Sequence, residues 1–330
     1  MKALTIHTPN TVSVVDVPTP EPGPEEVLVQ VAACGICGTD VHIFRGEYMG
    51  GYPVIPGHEF AGEVVAVGEA VSRFRVGDRV AVEPNIACDN CYNCLNNRQN
   101  FCLNWQAVGV TRPGGMAEYV VAPEKVVFDI GALSFEEAAF VEPLSCVVHG
   151  IEQAEIRLAD RIAILGAGPI GLLLLQVAMA RGAVDVTVLE RQPARAALAQ
   201  ELGAHHWVDN LDAMQAGTYD VVVDATGVPV VMAASVALAR PGGTILLFGV
   251  PPHGADLTLD AFAIFEKGLT LRASFTSKRN SYQAVAMLQS GRVRVTDLIS
   301  HRLPLSEFER GVHMIEKGLD GVKKVLMLPN

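Results

Sequence analysis

Between Val31 and Val65 the chain reads VAACGICGTDVHIFRGEYMGGYPVIPGHEFAGEVV, which sets Cys37 ahead of a Pro56-Gly57-His58-Glu59 turn. A thiolate, an imidazole and a carboxylate are donor types that borderline-soft zinc accepts, and three protein ligands leave a fourth position for water or substrate. Alone, an apolar-flanked cysteine and a separate histidine read as core or surface residues. A second cysteine pattern and a glycine pattern alter that balance.

Cys88, Cys91, Cys94 and Cys102 stand at C-x2-C-x2-C-x7-C inside the Asn-rich stretch from Asn85 to Asn104. Such spacing lets short turns aim the sulfurs at one tetrahedral ion, and a closed sulfur shell has no room for substrate, so this metal is expected to be structural. Unrelated core cysteines would prefer apolar surroundings, and iron–sulfur clusters follow other spacing rules. The expectation is about two zinc ions per chain, one catalytic and one structural.

Further on, RIAILGAGPIGLLLLQVAMARG supplies a buried apolar strand, then Gly166-x-Gly168-x-x-Gly171, then a helix. In a dinucleotide fingerprint the first glycine permits a tight turn, the second lets backbone approach a pyrophosphate, and the third allows close helix–strand packing. Pro169 and Ile170 lie within the fingerprint. The next strand, VDVTVLE, ends in Glu190, whose carboxylate can bind the adenosine-ribose hydroxyls and would repel a 2′-phosphate. Arg191 and Arg195 point the other way, since guanidinium groups accept such a phosphate. NAD is expected over NADP. Thr226, Gly227, Phe248, Val250, Ser274 and Phe275, at the ends of later strands, complete the expected cofactor contacts.

These groups need elements to carry them. From Met1 to Val31 short strands alternate with a Pro/Gly-rich stretch, and GEVVAVG and DRVAVEP continue the β pattern, suggesting a partly open barrel. The segment Ser134 to Ala154 has helical period and a Ser134/Glu137 cap, with Pro143 expected to kink or split it just after Glu142. From Arg161 strands alternate with helices (YDVVVDATG, MAASVALA, GGTILLFGV, LTLRASF), as in a doubly wound parallel sheet. The last helices and the strand KKVLML are expected to return to the first domain. The resulting division is 1–146 with 278–330 as a zinc-binding catalytic domain, and 147–277 as a dinucleotide-binding domain.

The chain has 330 residues, half of them hydrophobic and 18% charged, with a formal net charge of −11 and seven cysteines. That composition is globular and long enough for two cores. The negative charge and the lack of a Lys/Arg cluster argue against nucleic-acid binding. No apolar run reaches membrane-spanning length uninterrupted, and MKALTIHTPN lacks a signal-peptide apolar region, so no membrane partner and a cytoplasmic address are expected.

Taken together, G-I-C-G-T-D-x-H at Gly35 to His42, P-G-H-E at Pro56 to Glu59, the four-cysteine lobe and the glycine fingerprint resemble the zinc-dependent medium-chain dehydrogenase/reductase family across essentially the whole chain. E-P-L-S at Glu142 to Ser145 is most similar to its polyol (sorbitol-type) branch. The resemblance implies a GroES-like catalytic domain beside a Rossmann domain, and dimers or tetramers formed through sheet edges. It makes Cys37 and His58 catalytic-zinc ligands, with Glu59 and Glu142 ligating the ion or holding its water. It also implies that Thr39 passes the alcohol proton through the cofactor ribose to His42, and that Asp40 orients the metal site. The implied reaction is hydride transfer from a secondary alcohol, a polyol or sugar alcohol, to NAD. An L-threonine 3-dehydrogenase, an aliphatic diol dehydrogenase and a non-catalytic cofactor-binding protein are the alternatives. Ile43 and Thr276-Ser277-Lys278-Arg279 depart from the sorbitol pattern, and Phe44, Arg45, Phe275, Lys278 and Arg279 are candidates for reshaping the substrate pocket. Cys34 and Cys146 are expected in the core, and Glu47, Glu63 and Asp78 on solvated turns and rims.

Overall fold

The computed structural model describes residues 1–48 and 51–329. In chain order the elements are β1 (Lys2–Thr8), β2 (Thr11–Asp16), β3 (Glu26–Gly35), α1 (Gly38–Arg45), β4 (Glu59–Val67), β5 (Arg79–Val82), β6 (Asn85–Ile86), α2 (Tyr92–Leu95), β7 (Gln106–Ala107), β8 (Tyr119–Pro123) and β9 (Val127–Asp129). Then come α3 (Phe135–Ala138), α4 (Val141–Ala154), β10 (Arg161–Leu165), α5 (Pro169–Arg181), β11 (Asp185–Leu189), α6 (Pro193–Glu201), β12 (His206–Val208), β13 (Tyr219–Asp224) and α7 (Pro229–Leu238). The chain ends with β14 (Ala239–Leu247), α8 (Ala261–Lys267), β15 (Thr270–Ala273), α9 (Ser281–Gln289), β16 (Ile299–Pro304), α10 (Phe308–Lys317) and β17 (Lys324–Leu328).

Two compact units result: Met1–Ser145 with Ser281–Ser290 and Val295–Asn330, and Cys146–Asn280 with Gly291–Arg294. The short piece Gly291–Arg294 stays with the second unit because Gln176 of α5 clamps it. The Gln176 amide donates to the Arg294 carbonyl at 3.0 Å and accepts from the Arg294 N–H at 2.7 Å.

In the first unit the strands run β16-β17-β3-β4-β5-β9, with β8 also paired to β3. β16 and β17 are parallel and the other pairs are antiparallel. This is the partly open GroES-like barrel. Its alternating strands bury Val27, Val29, Val31, Phe60, Val64, Val80 and Val82 in one cluster with Phe44, Phe308 and Met327. Bulges in β3 against β4 between Leu28/Val29 and Val31/Ala33 shift the register, and such bulges bend and twist a strand locally.

The second unit is an all-parallel sheet in the order β12-β11-β10-β13-β14-β15. That order reverses beside β10, as in a Rossmann fold, and ligands bind at such a switch point outside the carboxyl ends of the strands. Ile162, Ala163, Ile164 and Leu165 of β10 are fully buried, as a strand covered on both faces requires. Among the described residues no helix is long and apolar enough to cross a membrane.

Two expectations need correction. The helix through Ser134 to Ala154 is interrupted, but ahead of Val141 and not after Glu142. Pro143 falls in the first turn of α4, where the backbone N–H it lacks has no intrahelical partner to lose. The Ser134/Glu137 capping box is present and starts the short α3. Phe44 is not a pocket residue: it is buried and meets Phe308 edge-on at 5.8 Å. Arg45 is committed to Glu316 of α10 and to Asn10.

Candidate metal centres and cofactor site

β3 ends at Gly35 and α1 begins just after Cys37, so the strand-to-helix turn presents the Cys37 thiol at the amino end of a helix. Helix amino ends favour negative charge. β4 begins at Glu59 beside it, with Gly35 and Glu59 in register. Cys37, His58 and Glu59 each bring one donor atom to within 4.8 Å of the others.

Asp40 holds these segments together. Fully buried, it accepts from the Cys37 N–H at 2.8 Å through one oxygen and from the Gly57 N–H at 3.1 Å through the other. The latter oxygen lies 3.5 Å from His58 Nδ1, a buried ring nitrogen with no hydrogen-bond partner among the described residues. Burial acts to lower the His58 pKa, yet the negative Asp40 and Cys37 outweigh it and hold it well above its usual value. A pocket that pulls a proton onto a buried imidazole is a pocket that demands positive charge. A divalent cation meets that demand, and the sulfur–imidazole–carboxylate set fits zinc with a position left open.

Lys324 was not anticipated. Its ammonium, at the start of β17, contacts Glu59 Oε2 inside the same buried pocket. Burial works against its charge, but Glu59 and Cys37 keep its pKa raised. Glu142, in the first turn of α4, is also buried. It stands outside the mutual 4.8 Å grouping of the other three. Cys34 is buried beside this cluster, whereas Cys146 is only half-buried.

Thr39 and His42 both ride on α1. His42 Nδ1 lies 2.8 Å from Glu47 Oε2. Glu47 is exposed, as expected of a rim residue, and its carboxylate favours a proton on the Nδ1 that faces it.

In the lobe between β6 and β7 the sulfurs of Cys88, Cys91, Cys94 and Cys102 converge, with separations of 3.5 Å for Cys91–Cys94 and 4.0 Å for Cys88–Cys94 and Cys91–Cys102. A tetrahedron with zinc–sulfur bonds of about 2.3 Å has edges of about 3.8 Å. The N–H groups of Cys88, Leu103 and Asn104 point at these sulfurs from 3.3 to 3.5 Å, as donors do around thiolates. Hydrogen bonds lower the Cys88 pKa to about 6, while burial and the neighbouring sulfurs raise that of Cys94 to about 12. None of the seven cysteines is in a disulfide.

The glycine turn has the shape its sequence requires. Gly166 adopts φ +101°, the Gly171 Cα packs against the Gly166 carbonyl too closely for a side chain, and nothing lies within 4 Å of a Cβ placed at Gly168. Pro169 opens α5 at that point. Glu190 follows β11 and is buried; its carboxylate accepts from Ala167 N–H at 3.0 Å and Gln192 N–H at 2.8 Å. Arg191 is exposed and Arg195 lies in α6. Phe248 and Val250 follow β14, and Ser274 and Phe275 follow β15, all beyond the carboxyl ends of their strands.

Asp224, at the end of β13, escaped sequence reasoning because it reads as an ordinary strand-end carboxylate. Fully buried, it accepts from Thr226 N–H and hydroxyl and from Gly227 N–H. Thr226 and Gly227 owe their turn to it.

Residues 23–132 match the alcohol dehydrogenase GroES-like domain, and residues 169–290 match the zinc-binding dehydrogenase domain. The chain is 40% identical to D-altritol 5-dehydrogenase of Agrobacterium fabrum, over 88% of this chain and 89% of that one. It is 34% identical to D-arabinitol dehydrogenase 1 of Uromyces fabae, over 94% and 93%. A zinc-binding dehydrogenase from Sinorhizobium meliloti 1021, crystallised with NADP, superposes with a TM-score of 0.95 at 38% identity, covering 99% of each chain. The protein is a zinc-dependent oxidoreductase of the medium-chain, zinc-binding dehydrogenase family.

Proposed function

We propose that the protein oxidises a secondary alcohol of a polyol or sugar alcohol to the ketone, using NAD. The observation that carries this is the Cys37–His58–Glu59 cluster, a buried anionic pocket whose donors suit zinc and leave a position for an alcohol oxygen. The similarity to dehydrogenases named for altritol and arabinitol supports a polyol as substrate.

Bound in these sites, zinc would supply a Lewis acid that lowers the pKa of an alcohol, and a nicotinamide would supply the hydride acceptor. Cys37, His58 and Glu59 would hold the ion, with Glu142 ligating it or holding its water, and Asp40 fixes the orientation of the first two. Thr39 takes the hydroxyl proton and His42 passes it to solvent, with Glu47 setting the tautomer. Gly166, Gly168 and Gly171, with the amino end of α5, would receive the pyrophosphate. Glu190 sits against that turn and favours an unphosphorylated ribose, which supports NAD over NADP. The four-cysteine lobe would hold the structural ion.

A homodimer or homotetramer in the cytoplasm fits this reading. β15 is an edge strand of the parallel sheet, and cysteines kept for a metal suit a reducing compartment.

The test is a rate comparison across polyols, simple alcohols and L-threonine with NAD and NADP, followed by reduced-nicotinamide absorbance, with metal analysis alongside. Polyol turnover with NAD and about two zinc ions per chain supports the proposal. Faster turnover of threonine than of every polyol, or loss of the catalytic metal without loss of rate, rejects it.

A further inference from the structure

Glu83 lies just beyond β5, 4% exposed, and among the described residues it has no ion-pair partner. A buried carboxylate without a cation is costly unless donors satisfy it. Here they do. Its Oε2 accepts from the Ser145 hydroxyl at 3.0 Å and from the Ser281 hydroxyl at 2.7 Å, while its Oε1 accepts from the Asn85 amide.

The two sides of this carboxylate lead to different places. Asn85 Oδ1 accepts from the Trp105 indole at 3.0 Å, and the Trp105 N–H bonds to the Cys102 carbonyl at 3.3 Å, so one side reaches the four-cysteine lobe. On the other side Ser145 is fully buried in α4, and its single hydroxyl proton is shared between Glu83 and the Glu142 carbonyl, the latter at 2.7 Å. Residues three apart on a helix sit one above the other. A force on Ser145 is therefore felt by the turn that carries Glu142.

We propose that Glu83 is a positioning residue that ties the first turn of α4, and with it the Glu142 carboxylate, to the four-cysteine lobe. This rests on the reading that Glu142 serves the catalytic zinc. An apolar contact could hold α4 in place, but it would not fix rotation about the helix axis as a hydrogen-bonded carboxylate does. Replacement by Gln leaves the shape and breaks the pattern. The amide must turn its NH2 either towards two hydroxyl donors or towards the Asn85 amide, and either choice loses an acceptor.

The experiment places cobalt(II) in the catalytic site of the full-length protein and reads its visible absorption in Glu83→Gln, Ser145→Ala, Ser281→Ala and Glu142→Gln, with metal content and melting temperature measured for each. Glu83→Gln and Ser145→Ala should keep their metals, shift the cobalt bands, and lower kcat by about tenfold to a hundredfold with less change in KM. Ser281→Ala, which loosens α9, should lower the melting temperature without moving the bands. If Glu83→Gln does not fold, Ser145→Ala decides alone. A shift in Glu142→Gln with none in Ser145→Ala overturns the proposal and leaves the Glu142 reading standing. So does an equal shift in Ser281→Ala. No shift in Glu142→Gln overturns that reading and the proposal with it.

Discussion

The ammonium of Lys324 and the carboxylate of Glu59 form an ion pair inside the candidate metal pocket, packed over the bare Cα of Gly35. A side chain at Gly35 would collide with both partners, Lys324 Cε among them at 2.7 Å. The strand positions explain the meeting, since Gly35 is in register with Glu59 on one side and Leu326 on the other. Around a metal bound there, the proposed ligands and Asp40 would supply an excess of negative charge, and each anionic donor makes a bound cation less able to stabilise an alkoxide. Lys324 offsets part of that excess while leaving the other Glu59 oxygen for the ion.

Lys324→Met should therefore damage the metal-free protein most. Breaking a buried pair by removing one partner costs about 3–5 kcal/mol. A bound cation can neutralise the abandoned Glu59, so the loss in melting temperature should be smaller with zinc than after chelation. Lys324→Arg should restore part of the stability. Equal losses with and without metal would show that Lys324 does not act on the site's charge.

Zinc uptake by the four-cysteine lobe should strengthen as pH rises. A thiol must lose its proton to ligate. With Cys88 lowered to about 6 and Cys94 raised to about 12, the metal-free lobe at neutral pH holds Cys88 as thiolate and Cys94 as thiol. Binding then expels the Cys94 proton, and affinity increases with pH through the interval between those two values. Competition against a chromophoric chelator across a pH series, with proton release followed in weak buffer, measures this. Affinity independent of pH would be incompatible with sulfur ligation from a thiol.

For the proton path, His42→Gln should lower kcat at neutral pH by about a hundredfold, with partial recovery on adding imidazole. Thr39→Ala should do the same without recovery. Glu47→Gln should cost no more than about fivefold, because the His42–Glu47 pair is largely exposed and such pairs contribute little. A Glu47 effect as large as that of His42 would mean that the carboxylate itself carries the proton.

Pro143→Ala should change stability by less than about 1 kcal/mol, as befits a first-turn proline, whereas a proline inside a helix would be worth several times more. This position shows what the sequence could and could not reveal. The cysteine spacing, the glycine fingerprint and the strand-helix alternation are legible because each depends on neighbours a few residues away, whereas Asp40, which reaches Gly57 across the fold, was implied only by the family resemblance. Pro143 was misread because a helix start at Val141, with no polar cap before it, looks like helix interior. Lys324 was hidden in the doublet Lys323-Lys324, which resembles the charged end of an exposed strand, and its burial follows only from pairing with β3. Glu83 meets Ser145 and Ser281 only through the tertiary fold, whereas Asp224 bonds its near neighbours Thr226 and Gly227 and is hidden because D-A-T-G reads as an ordinary strand end. The three-residue β12 was too short, and too exposed, to show a period.

In the proposed reading, cofactor choice turns on Glu190. Its carboxylate accepts one backbone N–H from the glycine turn, that of Ala167, and one from Gln192 ahead of α6, and this places the carboxylate next to the amino end of α5. A 2′-phosphate brought there would meet the carboxylate's charge, whereas ribose hydroxyls could donate to it. Glu190→Ala should raise the ratio of kcat/KM for NADP over NAD by about tenfold or more, the equivalent of one hydrogen bond to a charged group. Adding Arg191→Ala should reverse part of the gain, because the exposed guanidinium would then no longer receive the phosphate. The same ratio in Glu190→Ala as in the parent would place discrimination on Arg191 and Arg195 and remove the carboxylate from the account.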